Sequence, residues 1–247
     1  MEKRKKTAEP KEGTRLNKYI ADTGYCSRRK ADEIIFAGRV TVNGHLIIEP
    51  GTRVKNSDVI IVEGQRLKEV KKVYILLNKT KDAISTVKDE RDRKTVMDLI
   101  KGATKERVYP VGRLDRNTTG ILLLTNDGEL ANRLSHPSGE MRKVYKARLD
   151  KPLAYADLKK IRNGVMLEDG FAKPDEAEYD KNGDESCVVL TLHIGWNRIV
   201  RRIFETLGYK VKMLDRVSYG GITLHGVPRG DWRNLSHDEV MKLYNSK

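Results

Sequence analysis

The chain has 247 residues, of which 38% are hydrophobic and 34% charged, and its 49 Lys and Arg against 35 Asp and Glu give a formal net charge of +14. That length holds one ordinary domain plus a small one, and the charge favours a polyanion partner bound with strong salt dependence over a neutral sugar or a cationic ligand. No apolar run approaches the roughly 20 residues of a membrane span.

Residues 1–13, MEKRKKTAEPKEG, are basic with no apolar segment behind them, so they read as a disordered arm rather than a secretory signal. A small unit follows over residues 14–66. Leu16, Tyr19 and Ile20 share one face of a short helix that stops at Thr23-Gly24. Ser27 caps a second helix, with Ala31, Ile34 and Ile35 turned inward and Gly38 at its end. In RVTVNGHLI, Asn43-Gly44 stands between alternating residues and signals a hairpin, and Asp58 to Gly64 is a further strand.

Arg28, Arg29 and Lys30 occupy the first turn of the second helix, where the dipole disfavours cations. They either point to water or, together with the free backbone N–H groups, hold a phosphate, and the net charge favours the phosphate. The run RLNKYIADTGYCSRRKADEIIFAGRVTVNG resembles the RNA-binding module of the ribosomal protein S4 type. EGQRLKEVKK has no apolar period and leads out of this unit, with residues 67–72 as linker to a second domain at 73–247.

Val73 to Lys79 has the length and β-branched content of a buried strand, and Thr95 to Ile100 begins a short helix. The stretch Tyr109 to Pro137 organises the rest. Val111 to Gly120 is a loop crowded with polar groups, Ile121 to Thr125 a short buried strand, and Asp127 to Leu134 a short helix. Asp115 is a lone carboxylate between Arg113 and Arg116. Cations within about 4–6 Å keep such a carboxylate ionised, as a nucleophile or charge stabiliser; the competing reading is an ordinary turn former.

Met141 to Leu149 alternates like a strand and carries Tyr145 between Lys143 and Lys146, a half-buried ring or an active one. Leu158 to Val165 reads as a helix ended by Gly164, and residues 166–186 as an acidic surface hairpin. CVVLTLHIG is a strand, and WNRIVRRIFETLGYKV leads into a helix with Ile199, Val200, Ile203 and Phe204 as its stripe. Arg198, Arg201 and Arg202 give that helix a basic face. VKMLDRVSYGGITL is a strand and turn, and Ser236 with Glu239 forms a capping box before a last helix. None of the five His has a metal-binding spacing, and Cys26 and Cys187 lie far apart, so the thiols read as unbridged in a reducing cytosol and no metal site is expected.

GRLDRNTTGILLLTNDGELANRL resembles the catalytic motif of pseudouridine synthases, in the branch built around the ribosomal small-subunit enzyme (the RsuA type). The stretch NKTKDAISTVKDERDRKTVMDLI also resembles the opening motif of that family, departing at Thr80, where Pro is usual, and at Asp82, where Gly is usual. The resemblance implies an α+β fold whose catalytic domain has a mixed, largely antiparallel sheet flanked by helices. It places the catalytic carboxylate at Asp115, the active-site tyrosine at Tyr145, and the basic partner of the carboxylate at Arg201, with Arg202 as rival. Leu214 would pack by the target base, Arg113 and Arg116 would hold RNA, and Arg28, Arg29 and Lys30 would add RNA contacts. Isomerisation of uridine needs no metal or small-molecule cofactor, so none is expected. The implied partner is ribosomal RNA, free or in a pre-ribosomal particle, in the cytoplasm, with the enzyme a monomer. Large-subunit (23S) RNA is favoured over small-subunit RNA by the Asn-Arg-x-Val-Arg-Arg form of 197–202. The competing functions are a non-catalytic ribosome-assembly factor and a glycoside hydrolase; the latter would need a second carboxylate about 5–10 Å away.

Overall fold

Gly24, Gly38 and Asn43-Gly44 punctuate the N-terminal part of the chain, which turns at each of them. The computed structural model describes residues 13–136 and 140–246 and divides into two units, Met1–Lys71 and Lys72–Lys247. Except for Gly13, the basic arm lies outside the described residues, as does Pro137. The first unit runs β1 (Thr14–Arg15), α1 (Leu16–Asp22), α2 (Arg28–Phe36), β2 (Val40–Val42), β3 (His45–Ile47), β4 (Arg53–Val54), β5 (Ile60–Val62) and β6 (Gln65–Arg66). Four of these strands form a sheet in the order β3-β2-β5-β6.

Ser27 caps α2 by accepting from the Lys30 N–H at 3.2 Å. Asn43 (φ 52°) and Gly44 (φ 84°) both turn left-handed, which matches the twist of the β2–β3 hairpin. Leu16, Ile20, Ala31, Ile34 and Ile35 pack on the sheet as expected. Tyr19 is only half-buried, and Asn17 takes an inner position by donating to Asp32 at 2.7 Å. Leu67, expected in the linker, is 8% exposed and belongs to this core, because β6 extends the sheet and the Leu67 N–H bonds the Ile60 carbonyl at 2.9 Å.

The second unit contains β7 (Tyr74–Lys79), α3 (Val96–Leu99), β8 (Tyr109–Pro110), β9 (Thr118–Thr125), α4 (Gly128–Ser135), β10 (Lys143–Leu149), α5 (Tyr155–Asn163), β11 (Val165–Leu167) and β12 (Gly170–Ala172). It continues through β13 (Glu176–Tyr179), β14 (Cys187–Leu192), α6 (Ile199–Thr206), β15 (Val211–Tyr219), β16 (Ile222–Thr223), β17 (Trp232–Asn234) and α7 (His237–Asn245). The main sheet has the order β13-β14-β10-β15-β9-β7-β17, with β16 on β15 and β8 on β9. All its pairs are antiparallel except β9 with β15. The fold is therefore α+β with a mixed, largely antiparallel sheet.

The unbroken apolar runs of β7 and β9 follow from burial of both faces. Ile75, Leu77, Leu122 and Leu124 pack with Val96 and Ile100 beneath α3, while Leu76, Ile121 and Leu123 pack with Leu130 and Leu134 of α4. β9 starts at Thr118, three residues before the apolar run, because Thr118 to Gly120 pairs in parallel with Leu214 to Arg216. That approach needs glycine at 120: φ is +100°, and a Cβ there would lie 2.3 Å from the Arg216 carbonyl oxygen.

Three expectations need correction. The helix placed at Leu158 to Val165 is α5, which starts at Tyr155 and stops before Gly164 (φ 100°), leaving Val165 to open β11. Only the first part of the acidic stretch is a separate hairpin, β11–β12; Glu176–Tyr179 joins the main sheet at its edge and buries Ala177. Trp232–Asn234 adds an edge strand beside β7 that its sequence did not announce.

Candidate active site

Lys79 ends β7 fully inside the protein. Its Nζ donates to the carbonyls of Thr80 (3.0 Å), Asp115 (3.1 Å), Arg116 (3.2 Å) and Thr118 (2.9 Å). These oxygens replace water around the ammonium, and they clamp the loop that leads from β8 into β9. Burial brings the Lys79 pKa down to about 8, opposed by the charges of Asp115 and Asp82. On the other flank, the Ser85 hydroxyl accepts from the Leu114 N–H at 3.1 Å and donates to the Leu114 carbonyl at 2.9 Å. Asp115, half-buried, is thus carried on backbone fixed on both sides.

Asp82, where the related motif has Gly, is left-handed at φ 63°. Asp tolerates that region better than most residues. Its N–H bonds the Arg116 carbonyl at 3.0 Å and its carboxylate pairs with the Arg116 guanidinium at 3.1 Å, so this departure keeps the turn.

Asp115 lines a cavity of about 150 Å³ together with Thr118, Lys143, Tyr145, Leu214 and Arg216. Strand register explains the grouping. Tyr145 of β10 lies across from Arg216 of β15, which lies across from Gly120 of β9; Ala147, Leu214 and Thr118 form the row two residues along, on the same face. A wider hollow of about 670 Å³ shares Arg113, Leu114, Asp115 and Arg198 with this cavity and is lined further by Lys88, Arg91, Arg93 and Arg116, against Asp89 and Glu90. The carboxylate therefore stands where a small, partly apolar pocket opens into a basic cleft.

Of the expected residues, Asp115, Tyr145, Leu214 and Arg113 line the small cavity, and Arg113 and Arg116 line the cleft. Arg201 was expected on a basic face of its helix; it is instead buried, 9% exposed, and its Nη1 donates to the Val211 carbonyl at 2.8 Å. Burial and the neighbouring Arg198 lower its pKa, and Asp115 and Glu205 oppose them. Arg201 thus feels the charge of Asp115, although among the described residues no ion pair within 4.0 Å joins the two. Arg202 turns away, bonding Asp169 at 2.5 Å and the Asn197 carbonyl at 3.2 Å. Arg28, Arg29 and Lys30 are exposed on the first unit, and Lys30 pairs with Glu33 at 2.8 Å.

Four residues at the site escaped the sequence reading. Lys79 is a charge closing an apolar run, a signal that was visible. Lys143 is held by the His193 carbonyl at 2.6 Å, and burial, with the charge of Arg216 adding, brings its pKa down to about 8 against the pull of Asp175. Arg198 is left-handed at φ 50° where α6 begins, and it lines both hollows. Arg216 sits on β15 at 3% exposure. Among the described residues no group of three His, Cys, Asp or Glu could hold a metal ion, and no helix is long and apolar enough to cross a membrane.

A family model described as RNA pseudouridylate synthase matches residues 73–206, and an S4 domain model matches residues 14–60. The chain is 44% identical over 232 residues to the ribosomal large subunit pseudouridine synthase B of Bacillus subtilis, covering 93% of this chain and 95% of that protein. It is 36% identical over 239 residues to the dual-specificity RNA pseudouridine synthase RluF of Escherichia coli, covering 95% of this chain and 80% of the relative. A crystal structure of a pseudouridylate synthase superposes with a TM-score of 0.65 at 27% identity, covering 94% of this chain and 100% of the other.

Proposed function

The chain belongs to the RNA pseudouridylate synthase family and is an isomerase of the RsuA type; from that premise we propose that it converts one uridine of large-subunit ribosomal RNA to pseudouridine, with Asp115 as the catalytic carboxylate. The observation that carries the reading is Asp115 on clamped backbone, at the mouth of a cavity that also holds Tyr145 and Leu214. A cavity of this size suits one six-membered ring. The uridine is extruded from its stack into it, as other base-modifying enzymes do, and Tyr145 and Leu214 enclose the uracil from two strands.

The reaction breaks the N1–C1′ bond, turns the base, joins C5 to C1′ and releases the C5 proton. Positive charge builds at C1′ as N1 leaves, and an ionised carboxylate there stabilises it. Asp115 does so either by forming a bond to the nucleoside or by assisting a glycal route. Arg201 feels the charge of Asp115 and helps to orient that carboxylate. Arg113 and Arg116 meet the backbone phosphates of the opened RNA in the basic cleft, and Arg28, Arg29 and Lys30 add contacts from the S4 domain. Support for the large subunit comes from the 197–202 motif and from the Bacillus subtilis relative.

The test is tritium release from transcripts labelled at uracil C5. Large-subunit RNA should release one equivalent at one mapped uridine and small-subunit RNA none. Tight binding of both without release would make the protein a non-catalytic RNA-binding factor.

A further inference from the structure

Four buried side-chain polar atoms among the described residues have no hydrogen-bond partner: Asn17 Oδ1, Thr118 Oγ1, Arg202 Nη2 and Arg216 Nη2. Two of them, on Thr118 and Arg216, belong to residues that line the Asp115 cavity. Both residues are almost inaccessible, at 2% and 3% exposure. An orphaned buried polar group is costly, and one beside a cavity is a group that water or a ligand can complete.

The remainder of Arg216 is fixed. Its Nε donates to the Ile121 carbonyl at 2.8 Å, and its guanidinium carbon lies 4.7 Å from the centre of the Tyr219 ring. Nη2 is buried with no partner, and a guanidinium can donate but never accept. Thr118 offers a hydroxyl that can do either. Two strand rows apart, beside Leu214 and Tyr145, the two residues line a pocket sized for a single ring.

We propose that Arg216 and Thr118 read the polar edge of the extruded uracil: Arg216 Nη2 donates to the 4-keto oxygen, and Thr118 Oγ1 accepts from N3–H. This deepens the reading above and rests on it. Cytosine presents an amino group at C4, so its N–H bonds would face those of Arg216 and the wrong base is refused. The arrangement also suits the turning step. Rotation of uracil about its N3–C6 axis exchanges O2 with O4 and N1 with C5, and leaves N3–H in place. The same two protein groups therefore hold the base before and after it turns. Arg216 and Thr118 fix identity and orientation and take no part in proton transfer.

The test uses a ribosomal RNA fragment spanning the mapped uridine, prepared by splint ligation with uridine, 4-thiouridine or 2-thiouridine at that one position. Affinity and single-turnover rate are measured for each. Sulfur accepts hydrogen bonds poorly, so for the wild-type protein 4-thiouridine should lower rate over Kd about tenfold (roughly 1.4 kcal/mol). Arg216→Gln, long enough to keep a bond to Ile121 but lacking the second nitrogen of the fork, should lose that discrimination to within about twofold. Thr118→Val should keep or raise the melting temperature, since its hydroxyl has no protein partner, while weakening binding of the uridine fragment; a purely structural hydroxyl would show the reverse. Indifference of the wild-type protein to 4-thiouridine, sensitivity only to 2-thiouridine, or full discrimination retained by Arg216→Gln would overturn the proposal. Should Arg216→Gln not fold, the wild-type and Thr118→Val arms decide. A wild-type protein that binds the fragments with this discrimination yet forms no pseudouridine would sink the enzymatic reading and leave the uracil contact standing.

Discussion

The two units carry their positive charge in different ways. Arg28, Arg29 and Lys30 stand in water at the start of α2, whereas Lys79, Arg201 and Arg216 are buried, each bonded to at least one backbone carbonyl. An exposed cation attracts phosphate at long range, is screened by salt, and can be exchanged for a neighbour. A buried cation has lost its water, so its geometry is set by the few oxygens that replace it. On the proposed reading, the first kind serves affinity and the second shapes the site.

Breaking the contrast at its strongest point means removing Lys79. Lys79→Met leaves the carbonyls of Thr80, Asp115, Arg116 and Thr118 without their shared donor. Stability should fall by roughly 3 kcal/mol or more in urea titration, and pseudouridine formation should be lost with the loop geometry. A variant as stable and active as the parent would show that the clamp is incidental.

The exposed set should behave oppositely. Replacing Arg28, Arg29 and Lys30 together by Ala should leave stability within about 0.5 kcal/mol and weaken ribosomal RNA binding about tenfold (roughly 1.4 kcal/mol). The slope of log affinity against log salt should shrink by roughly 2. Turnover at saturating RNA should be unchanged; a fall there would give these residues a part in the chemistry.

A further effect concerns pH. Lys143 has a folded pKa of about 8 against an ordinary value of 10.5. Between those values the unfolded chain holds the proton and the folded protein releases it, so the Lys143 contribution makes the native state more stable as pH rises from about 8 to 10. Lys143→Met removes that rise. Denaturation of both proteins at the two ends of this window should show the stability difference moving in favour of the parent at the higher pH, and parallel curves would contradict the shift.

Much of this was legible in the sequence where a local signal meets a local consequence. Ser27, Asn43-Gly44 and the Ser236–Glu239 box all do what their positions announce. The GRLD segment announces a polar loop before a buried strand, and the strand is there. What could not be read depends on residues distant in sequence. Lys79 reads as the end of a strand, and its partners on the loop lie 36 to 39 residues away. Arg201 reads as one of three surface cations until the Val211 carbonyl, ten residues on, draws it inward. The edge strands Glu176–Tyr179 and Trp232–Asn234 are short and carry no clear alternation, so pairing partners rather than pattern define them.

The proposed chemistry turns on one carboxylate, and single-turnover kinetics test it most directly. With enzyme in excess over unmodified large-subunit RNA, Asp115→Asn should bind within about tenfold of the parent (roughly 1.4 kcal/mol), keep the fold, and form no pseudouridine. Pseudouridine formed by that variant at a rate near the parent's would contradict the account and move the chemistry to another residue.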